Sequence, residues 1–452
     1  MILRPRAWAL VAAGLAAAAC SRAEPSPLSA GSATVFDATQ DAFSLPVPNL
    51  AAERRTAFFL GNSFFNQNWV SAPSTVETRD GLGPLFNARS CSGCHFKDGR
   101  GRPPEPGKPP VSVIVRISLA ADGGAHPVYG DQFQTEALPG SAPEVALTLA
   151  YDEQPGHFPD GERYSLRKPR LQVRGPGYGP LPEDLRTSLR AAPALIGVGL
   201  LENVSEQDIL SRVDERDQNR DGISGRANRV WDEERKTLAL GRFGWKAEQP
   251  SVKQQVASAF SADMGLTTDL VTHDSCTAAQ TACAQQPNGG TPEVSARIFG
   301  DVVQYSRTLA VPARRSLGDP RVRQGAELFG TLGCEQCHVA TLRTGKAPGP
   351  PELSDQEIHP YTDLLLHDMG EGLADQRPVF AASGQEWRTP PLWGLGLVEK
   401  VNGHREFLHD GRARGVQEAV LWHAGEAVAA KRAFMALSRA QRAAVCAFVE
   451  SL

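Results

Sequence analysis

"GLGPLFNARSCSGCHFKDGRG", residues 81–101, and "VRQGAELFGTLGCEQCH", residues 322–338, decide how this chain is read. Each carries one Cys-x-x-Cys-His unit. Cys91 and Cys94, like Cys334 and Cys337, place two thiols on one turn at the spacing of the two haem vinyl groups. His95 and His338 follow as proximal iron ligands. A zinc site is the competing reading, but each unit offers only three ligands and no second ligand pair lies nearby in sequence. The chain therefore reads as a carrier of two covalently bound c-type haems.

The rest of the composition agrees with a globular protein. Of 452 residues 41% are apolar and 22% charged, and the formal net charge is −4. There is no acidic or basic tail and no nucleic-acid signature. The opening "MILRPRAWALVAAGLAAAAC", residues 1–20, has two arginines before a short apolar run, as export signals do, and is too short to span a bilayer. It stops at Cys20, so a lipoprotein type of signal is expected, with a lipid anchor as the only membrane contact. The expected location is the periplasm, on the outer membrane. In that oxidising compartment Cys276 and Cys283, which bracket "CTAAQTAC", are expected to pair, while Cys446 falls on the apolar face of a helix.

Periodicity divides the chain further. Residues 21–45 read as a flexible Ser/Ala/Pro tether, 46–315 as an N-terminal haem domain and 316–452 as a C-terminal cytochrome c domain. "VSVIVRISL", "EVALTLAY" and "RYSLRKPRLQV" alternate like strands, the last two joined through "PDGE" as a hairpin. Residues 188–213 and "PSVKQQVASAFSADMG" read as helical. "SRAQRAAVCAFVESL" reads as a closing helix capped by serine. The expected fold is mainly α, two c-type cytochrome-like domains with a small β insertion in the first.

Most histidines outside the two units sit in loop-like sequence. His423 differs: in "VQEAVLWH" it shares a helical face with Val416, Ala419 and Val420. In "DQNRDGISGRAN", Asp217, Asn219 and Asp221 alternate before Gly222, as in an EF-hand-type loop, so Ca2+ is expected there. The twelfth position is Asn228 and not glutamate, and an Asx-rich turn is the alternative.

The whole sequence resembles the bacterial di-haem oxidoreductases, a family grouped with peroxidases and sometimes labelled thiol oxidoreductase-like. The likeness rests on the two stretches above and on "YGDQFQTEALPG", "DQNRDGISGRANRV", "GRFGWKAEQPS", "PYTDLLLHDMG", "EWRTPPLWGLG" and "FLHDGRARGVQEAVLWHAGEA". It extends to the dihaem cytochrome c peroxidases and to the dihaem oxidase that matures methylamine dehydrogenase. In the peroxidases the sixth ligand of the C-terminal haem, usually methionine, lies fourteen residues past the histidine of a "HDG" motif. Counting from His409 reaches His423, and imidazole in place of thioether implies a lower reduction potential. The peroxidases also set a glutamine and, ten residues on, a glutamate over the N-terminal haem; Gln134 and Glu144 have that separation, with Glu136 in reserve.

The resemblance implies a peroxidase that reduces hydrogen peroxide at the N-terminal haem, with electrons relayed through the C-terminal haem from a donor protein or small redox donor. A non-catalytic electron-transfer protein, or an oxidase modifying a partner protein or peptide, are the alternatives. The peroxidases' tryptophan between the haems has no counterpart at the aligned position, and Trp393, Trp69 and Tyr129 are the substitutes offered.

Overall fold

The computed structural model describes residues 26–120, 123–346 and 349–452. The expected signal segment and Cys20 lie outside these residues. Among the described residues, helix accounts for 29% and strand for 18%, with twelve α-helices and seven two-stranded sheets. The expected mainly α fold is therefore corrected. Much of the chain runs as loops pinned by long-range hydrogen bonds, and the helices are mostly short.

The two halves nevertheless share one construction. In the first, the helix Ala52–Asn66 lies against Ala296–Arg307. In the second, Pro320–Thr331 lies against Arg439–Ser451. Both pairs cross where a glycine lets two backbones touch. A Cβ on Gly61 would sit 2.1 Å from the Asp301 carbonyl oxygen and 2.6 Å from Tyr305 Cβ. One on Gly325 would sit 2.0 Å from the Ala444 oxygen and 2.7 Å from Phe448 Cβ. Four residues after each glycine comes a phenylalanine, Phe65 or Phe329. Phe65 packs on Tyr305 with ring centroids 5.3 Å apart, and Phe329 on Phe448 at 5.2 Å.

Local chemistry fixes where these helices begin. Asp319 accepts from Arg321 N ahead of Pro320 at the first helical turn. Ser438 and Gln441 form a reciprocal capping box, so the expected serine cap is present. Residues 188–213 do not form the expected helix. Arg186–Ala191 pairs as a strand with Val113–Ser118, and the helices Val198–Asn203 and Glu206–Leu210 are separated by the extended Val204.

The insertion between Gln134 and Arg190 contains the expected hairpin as a long ribbon, Ala146–His157 against Arg163–Arg174. Its tip crosses to the second half. Phe158 packs with Leu332, Leu421, Phe434 and Val445, under the Arg442 guanidinium. Further along the ribbon, Glu418 Oε1 accepts from Arg167 N at 2.7 Å.

One apolar cluster holds residues from both halves, from Ala30 to Leu452. Within the expected tether, Thr34–Val35 pairs in parallel with Val311–Pro312, and Ala30, Ala33, Ala42 and Phe43 are fully buried. Apolar side chains at these positions hold residues 26–45 on the body. No described helix is long and apolar enough to cross a membrane.

Replacing Gly325 by leucine is expected to force the closing helices apart and cost about 3 kcal/mol, as overpacking does. A lowered denaturation midpoint on the second module, with a parallel effect for Gly61→Leu on the first, would be the measured outcome.

Candidate haem-binding sites

Both attachment units are set at the end of the glycine-crossed helices. Cys91–Cys94 forms a single helical turn and Cys334–Gln336 a 3-10 turn, with His95 N bonded to Cys91 O and His338 N to Cys334 O, each at 2.9 Å. Each turn thus brings two thiols and a histidine together. All four thiols are free. Burial pushes Cys91, Cys94 and Cys334 up to about 12, so these thiols stay protonated.

The two histidines are anchored alike. His95 Nδ1 donates to Pro193 O at 2.8 Å and His338 Nδ1 to Tyr361 O at 2.9 Å. Phe65 and Phe329 stand 6.3 and 6.2 Å from the respective imidazoles. Burial lowers both histidines to about 4, so each is neutral and presents an unprotonated Nε2.

His423 follows the same rule. It sits just past the helix Val416–Trp422, with Nδ1 donating to Ala419 O at 2.7 Å, which leaves Nε2 free. The His423 imidazole adds to the depression of His338, so the two lie near one another. Among the described residues no second imidazole acts on His95. The two centres are therefore unequal.

The remaining sequence-derived residues divide. Gln134 and Glu144 come together and are buried: Glu144 N donates to Gln134 O at 2.9 Å, and Glu144 Oε2 accepts from Gln134 N at 2.7 Å. The Gln134 amide donates to Ala262 O at 2.9 Å and accepts from Asn87 at 2.9 Å, which leaves one N–H. Asn87 lies four residues before Cys91 and ties the pair to the first attachment unit. Burial raises Glu144 to about 7, against the two hydrogen bonds that lower it. Glu136 is exposed.

The expected calcium loop closes on itself. Asp217 accepts from Gly222 N and Asn219 from Asp221 N, while Asn219 Nδ2 donates to Asp221. Asn228 is turned away into the core, bonded to Lys246 O, Val379 O and Ala381 N. Among the described residues no cluster of three or more His, Cys, Asp or Glu could hold a metal ion.

Sequence reasoning missed several groups. Asp263 faces the Cys91 and Cys94 thiols and raises both, and it accepts from Gln132 at 2.8 Å. The cue was a carboxylate on the buried side of "SAFSADMG". His409 lies flat on Trp387 at 3.7 Å and 11°, and meets Trp245 edge-on at 6.5 Å. The Trp245 contact joins the halves, whereas Trp69 packs on Phe260 and Tyr129 on Phe133 within the first. No sequence spacing pointed to it.

Haems fit this donor set. Beyond the thiols and imidazoles, the indole N–H of Trp422, beside His423, is buried without a partner. Arg377 is lowered to about 10 by burial and by repulsion from Arg116 and Arg190.

One chain with two such centres defines a two-haem oxidoreductase. It matches, over residues 25–122 and 131–452, the family described as "Di-haem oxidoreductase, putative peroxidase", and it belongs to that family. No curated protein and no solved structure matches the chain.

Beside the second unit, buried His367 is held between Asp363 and Glu426 at 2.8 and 2.7 Å, and these carboxylates keep it protonated well above 6.5. A raised histidine stabilises the fold fully below 6.5, and the contribution is lost as pH rises through its folded value. His367→Leu is expected to cost about 3 kcal/mol in acid, by leaving two buried carboxylates unpaired. The difference from the parent should shrink at alkaline pH in urea titrations.

Proposed function

We propose that this oxidoreductase reduces hydrogen peroxide to water at its first centre, drawing single electrons from a donor protein or a small redox donor through its second. The observation that carries the reading is the inequality of the centres. The His423 imidazole lies close enough to His338 to act on it, while the first unit has beside it a buried amide–carboxyl pair.

Cys91, Cys94 and His95 would hold one haem covalently, and Cys334, Cys337, His338 and His423 the other. When bound, these groups would supply one-electron exchange and, at the first centre, redox chemistry toward an oxygen substrate. Glu144 divides between acid and base near neutral pH, so its Oε atoms can both accept and return a proton. The remaining N–H of Gln134 orients the oxygen species. Asn87 and Ala262 hold that amide in one orientation. The Cys276–Cys283 disulfide and the export-type N-terminus support a periplasmic setting, with Cys20 as the site of a lipid anchor.

Glu144→Gln is expected to lower peroxide turnover roughly 100-fold while the visible haem spectrum stays as in the parent. Unchanged turnover would defeat the proposed chemistry. His423→Met is expected to raise the reduction potential of one haem only and to shift its absorption bands. Identical potentials in both proteins would remove His423 from the ligand set.

A further inference from the structure

Glu144 has two hydrogen-bonded oxygens, and only one is accounted for by Gln134. The other, Oε1, accepts from Nε2 of Gln280. Gln280 is fully buried, as is Glu144, and it arrives from a distant segment, "CTAAQTAC". Cys276 and Cys283 close that segment into a loop with a sequence separation of seven. Inside it Gln280 is fixed at every polar group. Its N–H donates to Thr277 O at 3.0 Å, its Oε1 accepts from Thr277 N at 2.8 Å, and its carbonyl accepts from Cys283 N at 2.9 Å. Thr277 Oγ1 in turn donates to Val128 O at 2.8 Å, docking the loop on the segment that leads to Gln134.

We propose that Gln280 is a positioning residue for Glu144, and that the Cys276–Cys283 loop exists to deliver it. The inference rests on the reading of Glu144 as the proton-transfer group. Its physical basis is that the carboxyl group is buried, and among the described residues no arginine or lysine pairs with it. The titratable groups that face it are the phenols of Tyr129 and Tyr178, which donate to Gly179 O and Ala142 O. Burial raises both phenols, so they stay neutral around neutral pH. Charge on Glu144 is therefore stabilised by two N–H donors, one from Gln134 and one from Gln280. Donors to a carboxylate favour the ionised form, so losing either moves its titration upward.

The experiment uses the full-length haem-loaded protein and reads Glu144 directly. The carbonyl stretch of its protonated form, identified by its loss in Glu144→Gln, is followed by infrared spectroscopy against pH. In Gln280→Met, close in size but without donors, the titration midpoint is expected to rise by about one pH unit. The acid limb of the peroxide turnover profile should move with it. The pair Cys276→Ala/Cys283→Ala, checked for folding by circular dichroism, should shift the midpoint in the same direction by a smaller amount. If that pair does not fold, Gln280→Met alone decides. An unmoved carbonyl midpoint in Gln280→Met overturns the proposal. If Glu144→Gln retains full turnover, the peroxidase reading of Glu144 fails separately, and the infrared midpoint still reports whether Gln280 controls it.

Discussion

Everything in this molecule depends on two places where helix backbones touch. At Gly61 and Gly325 there is no room for even a methyl group, and the contact sets the depth at which the next turn of each helix lies. That depth carries Phe65 and Phe329 to the edge of His95 and His338, and their partners Tyr305 and Phe448 close the arrangement from behind. Around this repeated nucleus the halves differ freely. The first acquires a ribbon, a disulfide loop and a buried carboxyl, while the second acquires a third imidazole.

What the sequence disclosed was what short-range chemistry determines. The attachment units, the hairpin through "PDGE", the cap at Ser438 and the pairing of Cys276 with Cys283 all follow from near neighbours in the chain. The ten-residue separation of Gln134 and Glu144 also survives as a contact. The internal repeat was legible too, since "GNSFF" and "GAELF" each place glycine four residues before the critical phenylalanine, but only a comparison of the two halves shows it. Other features arise from long-range packing. Residues 26–45 look like a tether because their composition is small and polar, yet Phe43 and the alanines are buried in the large apolar cluster. A helical pattern over 188–213 yields to strand pairing with Val113–Ser118. The calcium-like spacing survives, but Asn228 is recruited by Lys246, Val379 and Ala381, partners that no local rule names.

The interior between the halves is unusually ionic. Arg190 and Lys246 meet Asp375 and, for Arg190, Glu248, while Lys246 and Arg190 also lie over the Trp387 ring against which His409 is stacked. Burial holds His409 down to about 3, so this imidazole is neutral beside its cationic neighbours. A buried ionic lattice of this kind favours one relative placement of the halves over others, because any slippage strands a charge without its counterpart.

The ribbon has a mechanical meaning. Its first strand starts two residues after Glu144, and its second strand grips, through Arg167, the helix that ends at His423. At roughly 3.3 Å per residue each twelve-residue strand is a strut of about 40 Å. One ribbon thus has the buried Glu144 carboxyl at its root and the support of His423 along its length. The two centres share a girder as well as a core, and shortening it would disturb both ends together.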